Sequence, residues 1–166
     1  QDPGESPVSI DALAIGLLLS VLRQVRDDLC DCGFESGGDF RHCGFLRRNA
    51  IEFGLTILGV ADDEVCTALI QALEQDPYFE VRAAAARALG KLYGPDGRLE
   101  SVLQEALSDQ SVRVVSETIR ALGKIATNTM ALEKLREFYF HESWHCRLAV
   151  AEALEAMLKL TRIIPI

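Results

Sequence analysis

Apolar residues recur at helical spacing along most of the chain, and the pattern itself returns at a nearly fixed interval. The stretch from Asp76, DPYFEVRAAAARALGKL, and the stretch from Asp109, DQSVRVVSETIRALGKI, stand 33 residues apart and share RALGK. A further step of 32 residues aligns HESWHCRLAVAEALEAM from His141, and a step back of 31 aligns FLRRNAIEFGLTILG from Phe45, with Leu58-Gly59 falling on Leu89-Gly90. Between these segments lie shorter amphipathic stretches, DDEVCTALIQALEQ, GRLESVLQEALSD and TMALEKLREFYF. Each period therefore predicts a helix, a tight turn and a second helix. Asp62, Asp96 and Asn128 stand where N-caps belong, and Gly94-Pro95-Asp96-Gly97 breaks one unit from the next.

In the second helices, Val81, Ala84, Ala85, Ala88, Leu89 and Leu92 form one stripe. Val114, Thr118, Ala121, Leu122 and Ile125 repeat it, as do Cys146, Ala149, Val150, Ala153, Leu154 and Met157. A single unit cannot bury such a face alone, so neighbouring units must stack. At about 100° per residue, the opposite side carries Phe79, Ala83, Ala86, Arg87 and Gly90, then Val112, Ser116, Ile119, Arg120 and Gly123. It continues as Trp144, Leu148, Ala151, Glu152 and Glu155, with Arg48, Glu52, Leu55 and Thr56 from the first unit.

With these residues in view, the chain resembles HEAT repeats, most closely the subgroup named after phycobilisome lyases, whose unit reads D-P-x-x-x-V-R-x-x-A-x-x-A-L-G. Asp76, Pro77, Val81, Arg82, Ala85, Ala88, Leu89 and Gly90 match it. The second unit keeps Asp109, Val114, Ala121, Leu122 and Gly123 but has Val115 at the Arg position, and the third keeps Arg147 but has His141 at the Asp position. The resemblance covers roughly residues 45–160. It implies an all-α solenoid of about four helix pairs in a right-handed superhelix, and for Asp76 and Arg82 a place in a structural polar ladder.

The chain of 166 residues is long enough for one domain. Residues 1–8 read as a leader, QDP being like the junction left by an expression tag, and 9–166 as a single domain with a long loop over 30–44. A net charge of -8 disfavours nucleic acid and anionic membranes. The most apolar run, Ala12 to Leu22, is too short to span a bilayer and lacks the flanks of a signal peptide, so a cytoplasmic protein is expected.

The loop holds Cys30, Cys32, His42 and Cys43, which supply four zinc-type ligands, although without paired C-x2-C spacing. A metal, a disulfide such as Cys32 to Cys43, and reduced thiols in a partner-ordered loop all fit it. Cys66 and Cys146 lie on apolar stripes and read as core. His42, His141 and His145 are the only histidines, and none pairs with a nucleophile in a triad-like arrangement. One His141-Glu142 pair is too few for the di-iron hydroxylases of this fold, and the acidic charge speaks against a glycosylase groove.

The expected function is a noncatalytic scaffold or adaptor, without a cofactor, that binds a partner peptide or amphipathic helix on the concave face. Leu55, Phe79, Arg87, Val112, Ile119, Arg120, Trp144 and Leu148 are the expected contacts, forming an apolar strip with a charged rim. A subunit of a heteromeric enzyme like the bilin lyases is the alternative, and a metal-dependent sensor using the cysteine loop a third. The first helix, expected from about Ser9 to Leu29, carries an apolar stripe at Ile10, Leu13, Leu17, Val21 and Val25, with Ala12, Ile15 and Leu19 around it. Those extra apolar residues suggest either contact with another chain, including a homodimer or heterodimer, or a cover formed by residues absent from this sequence or by the RIIPI tail.

Overall fold

The computed structural model describes residues 9–23, 41–126 and 129–163. Eight helices follow one another among them. They are α1 (Ile10–Arg23), α2 (a continuous run of Arg41–Asn49, a π-helical Ala50–Leu55 and Thr56–Leu58), α3 (Asp63–Gln75) and α4 (Phe79–Leu92). Then come α5 (Gly97–Ala106), α6 (Val112–Ile125), α7 (Thr129–Glu137) and α8 (Trp144–Ile163). The second helices α2, α4, α6 and α8 pack in succession, and the first helices α1, α3, α5 and α7 form a parallel layer over them. This is the all-α solenoid of four helix pairs that the period requires.

Local chemistry starts the helices where the sequence places the signals. Asp62 accepts from the Val65 N–H and Asp96 from the N–H groups of Arg98 and Leu99, satisfying donors that a helix start leaves open. Gly59, at φ 68°, ends α2 in the left-handed conformation that glycine tolerates. Asn128, the third expected cap, lies outside the described residues, and so does the first helix beyond Arg23. Of the expected loop over 30–44, residues 30–40 lie outside the described residues, and residues 41–44 are already helical in α2. Phe45 therefore lies inside a helix and not at its start.

The core stripe is in place: Val81, Ala84, Ala85, Ala88 and Leu89 are buried, as are Val114, Thr118, Ala121, Leu122 and Ile125, and Cys146, Ala149, Val150 and Ala153. Leu92, Leu154 and Met157 pack against it while partly exposed. Small residues let the second helices approach closely. A Cβ on Gly90 would stand 2.6 Å from Ala121 Cα, and one on Gly123 2.5 Å from Ala153 Cα, so RALGK repeats because backbone meets backbone at its glycine.

A polar clasp joins successive units. Arg82 Nε and Nη2 donate to Asp109 at 2.7 and 3.1 Å, while its Nη1 donates to the Asp76 and Pro77 carbonyls of its own turn. One unit earlier, Arg47 Nε and Nη2 hold Asp76 at 2.6 and 3.0 Å. The expected Asp76–Arg82 ladder is thus a forward one: each arginine grips the aspartate of the following turn. Those aspartates also accept from the N–H two residues on, Tyr78 and Ser111, which shapes the turn.

The clasp corrects the register of the first unit. Arg47 plays the part of Arg82, so the true offset is 35 residues and not 31, about one helical turn away from the match of Leu58-Gly59 to Leu89-Gly90. In this register Leu55 falls on Gly90, and Glu52 on Arg87. Sequence matching locked onto a Leu-Gly pair whose glycine is a helix end, whereas Gly90 is a helix–helix contact.

Candidate partner-binding surface

An inner helix of a solenoid is covered by the units before and after it as well as by its own partner helix, so only a narrow strip reaches solvent. On α4 the strip is Glu80, Arg87 and Lys91, and on α6 it is Arg113, Arg120 and Lys124. The broader face drawn from a helical wheel is mostly the contact with the following unit. Ala83, Ala86 and Gly90 are buried on α4, and Ser116, Ile119 and Gly123 on α6.

Two expected contact residues are therefore core. Leu55 and Ile119 are both 0 % exposed, and they fill space between units instead of meeting a partner. Without them the expected apolar strip is interrupted along the middle of the described inner helices. A chain of opposite charges runs there instead. Glu52 accepts from Arg87 at 2.7 Å, Arg87 also reaches Glu117 at 3.2 Å, and Arg120 bridges Glu117 and Glu152. Arg48 and Arg113 join at 3.9 and 3.7 Å. Glu117, buried, is approached by three guanidinium groups, whose attraction offsets its desolvation cost. Arg87 and Arg120, expected partner contacts, are committed to this chain of ion pairs.

Three expected contacts do form a series. Phe79, Val112 and Trp144 are the first residues of α4, α6 and α8, occupy equivalent positions, and are exposed at 39, 41 and 58 %. The row is extended by Phe45, which packs edge-on to Tyr78 under the Arg48 guanidinium; Tyr78 in turn packs against Phe79. Trp144 stacks on His145 with ring centroids 3.8 Å apart. Leu148 is exposed too, but at the position of the buried Ala83 and Ser116, so it lies on the face that in α4 and α6 meets the following unit and not on the inner strip.

The sequence reading missed Lys91 and Lys124. Each follows the glycine of RALGK, each is exposed, and neither pairs with an acidic group among the described residues. The signal was present, since both lysines sit in the repeated pentapeptide, but a wheel with one buried stripe does not separate the solvent strip from the inter-unit contact. Charge is also segregated. Helices α4 and α6 carry Arg82, Arg87, Lys91, Arg113, Arg120 and Lys124 against Glu80 and Glu117, on a chain of net charge -8.

The first helix inverts the expected arrangement. Leu19 and Leu22 are buried with Ile15 and Leu18 beside them, and the stripe residues Ile10, Leu13 and Leu17 are exposed. Helix α2 exposes Leu46, Phe53 and Ile57 as well.

Of the cysteine candidates, Cys30 and Cys32 lie outside the described residues, and of His42 and Cys43 only the helical backbone is described. No group of three or more His, Cys, Asp or Glu is placed to hold a metal among the described residues. Cys66 and Cys146 are buried as expected, and burial pushes both thiols above the usual cysteine range, which disfavours the nucleophilic thiolate. No described helix is long and apolar enough to cross a membrane.

No curated protein matches the chain. The HEAT repeat family model matches residues 65–94, the stretch that holds most of α3, the Asp76 turn and α4. With that repeat inside four stacked helix pairs, the chain is an α-solenoid of HEAT type.

Proposed function

We propose that the protein is a noncatalytic interaction module, a single domain over residues 9–166, whose second helices take an amphipathic helix or peptide of a protein partner. The carrying observation is the pairing, in the two middle inner helices, of an exposed apolar residue at the helix start with a lysine near its end that meets no acid among the described residues: Phe79 with Lys91, and Val112 with Lys124. Such a strip suits a ligand with an apolar face toward Phe79, Val112 and Trp144 and carboxylates toward the lysines. The ion pairs between the two rows hold the inner helices in place, so the strip is rigid before the ligand arrives.

Capture from extracts of the source cells, read by mass spectrometry, tests the reading with three baits. A partner held by the native chain and lost by both Val112→Asp/Trp144→Asp and Lys91→Glu/Lys124→Glu supports it. A partner retained by both variants, with circular dichroism unchanged, sinks it.

Exposure of Ile10, Leu13 and Leu17 supports a separate contact of α1 with another chain. Sedimentation of Leu13→Asp/Leu17→Asp at several concentrations tests that contact, and a mass unchanged from that of the native chain removes it.

A further inference from the structure

The two rows of the inner strip repeat once per unit, and their spacing restricts what can lie along them. Phe79 and Lys91 stand twelve residues apart on α4, as do Val112 and Lys124 on α6, so the apolar row and the lysine row run along the stack about 18 Å from each other. Within a row, one residue follows the next at the separation of packed helices, about 8–10 Å. Gly90 against Ala121 and Gly123 against Ala153 hold α4, α6 and α8 at close approach.

Charge restricts the ligand further. Arg48, Arg87, Arg113 and Arg120 each meet an acid of this chain, whereas Lys91 and Lys124 meet none among the described residues. Thr56 and Ala156, at the lysine position of the first and last pairs, carry no charge. The strip therefore offers a ligand two cations, one unit apart.

A chain that meets both rows at each unit must return the same face every 8–10 Å or so. A β-strand returns its face at about 6.6 or 13.2 Å and falls out of step. An α-helix returns it after seven residues, about 10.5 Å, with a drift of only about 20°. At about 10–12 Å across, an α-helix also fills the width between the rows, with the lysine stems reaching in from one edge. A polyproline II chain keeps the spacing, at about 9.3 Å for three residues, but is too slim to touch both rows.

We propose, resting on the reading of this strip as a partner-binding surface, that its ligand is an α-helix lying along the stack, across the inner helices. It carries an apolar residue at every seventh position, against Phe79, Val112 and Trp144. Its other edge carries two carboxylates seven residues apart, for Lys91 and Lys124.

Trp144 is the one tryptophan of the chain, so its emission reports a peptide arriving on the strip. Three synthetic peptides are titrated into the protein. The first has leucine at every seventh position and two glutamates seven apart on the opposite edge; the second has the same composition with both repeats set to four; the third is proline-rich with both repeats set to three. The first is expected to shift the Trp144 emission and to bind at least about tenfold more tightly than either of the others. Its binding to Lys91→Glu/Lys124→Glu should weaken at least about tenfold, as for lost charged hydrogen bonds. Equal or tighter binding of the second or third peptide overturns the helix and leaves the strip as a binding surface. Binding of the first that ignores the lysine change overturns the proposal as well. If no peptide moves the emission the proposal falls, and capture from cell extracts with the three baits then decides whether the strip falls with it.

Discussion

Arg47 and Asp76 are a buried ion pair, with both carboxylate oxygens held by one guanidinium at 2.6 and 3.0 Å and side-chain exposures of 2 and 0 %. A pair so placed contributes little over an apolar pair of the same shape, but breaking it takes the carboxylate from a guanidinium that is itself buried. Asp76→Ala is expected to cost about 3–5 kcal/mol. Urea denaturation measures it, and a loss under about 1 kcal/mol would contradict the assignment.

Asp109 sits in the same clasp one unit on. Burial pushes its carboxyl up, but the Arg82 hydrogen bonds, the Ser111 N–H and the Arg82 charge outweigh burial and hold it below its ordinary value of 3.8. A group with a depressed folded-state pKa stabilises fully above its unfolded value and loses that contribution as pH falls through the folded one. The stability gap between the native chain and Asp109→Asn should therefore be full at pH 7 and close as pH falls below about 4. Denaturation midpoints from pH 7 to 2.5 read the gap, and a constant difference would refute the clasp.

The junction between α6 and α8 lacks the clasp because both partners differ together: Val115 replaces the arginine and His141 the aspartate. His141 keeps only the turn-shaping half, its Nδ1 accepting from the Ser143 N–H. Val115→Arg alone buries a charge and should destabilise, and His141→Asp should be close to neutral. Together they should recover about 1–3 kcal/mol relative to the sum of the single changes. A double-mutant cycle measures the coupling, and zero coupling would mean that the geometry of the first two junctions does not extend to the third.

Gly90 touches the backbone of Ala121 with no room for a methyl group. Gly90→Ala must push α4 and α6 apart, at an expected cost of about 1–3 kcal/mol despite the better helix propensity of alanine. Gly97→Ala, where a Cβ meets nothing within 4 Å, is the matched control at a helix start. Thermal unfolding compares them, and equal melting temperatures would show that the close approach is not obligatory.

Thr118 is fully buried and its hydroxyl has no hydrogen-bond partner among the described residues. Thr118→Val keeps the shape and removes the unmet polar group, so stability should rise by about 1 kcal/mol or more. A lower melting temperature would reveal a bond that the hydroxyl makes in solution.

The period of the chain determined the fold without help. Two RALGK segments 33 residues apart, with alanines on one stripe, leave a stacked helix pair as the arrangement that buries each unit's apolar face. The caps at Asp62 and Asp96 and the core placement of Cys66 and Cys146 were equally legible, because each follows from its immediate neighbours in sequence. The surface was not. Ile119 and Leu55 look outward on a wheel with one buried stripe, yet both are sealed by the units on either side. Arg47 could not be matched to Arg82 by counting, since a Leu-Gly pair one turn away aligned better, and only the grip on Asp76 fixed the register. Periodicity reports which residues share a face of one helix. Which faces meet another helix, and which arginine grips which aspartate, depends on distances between units that only the packed structure sets.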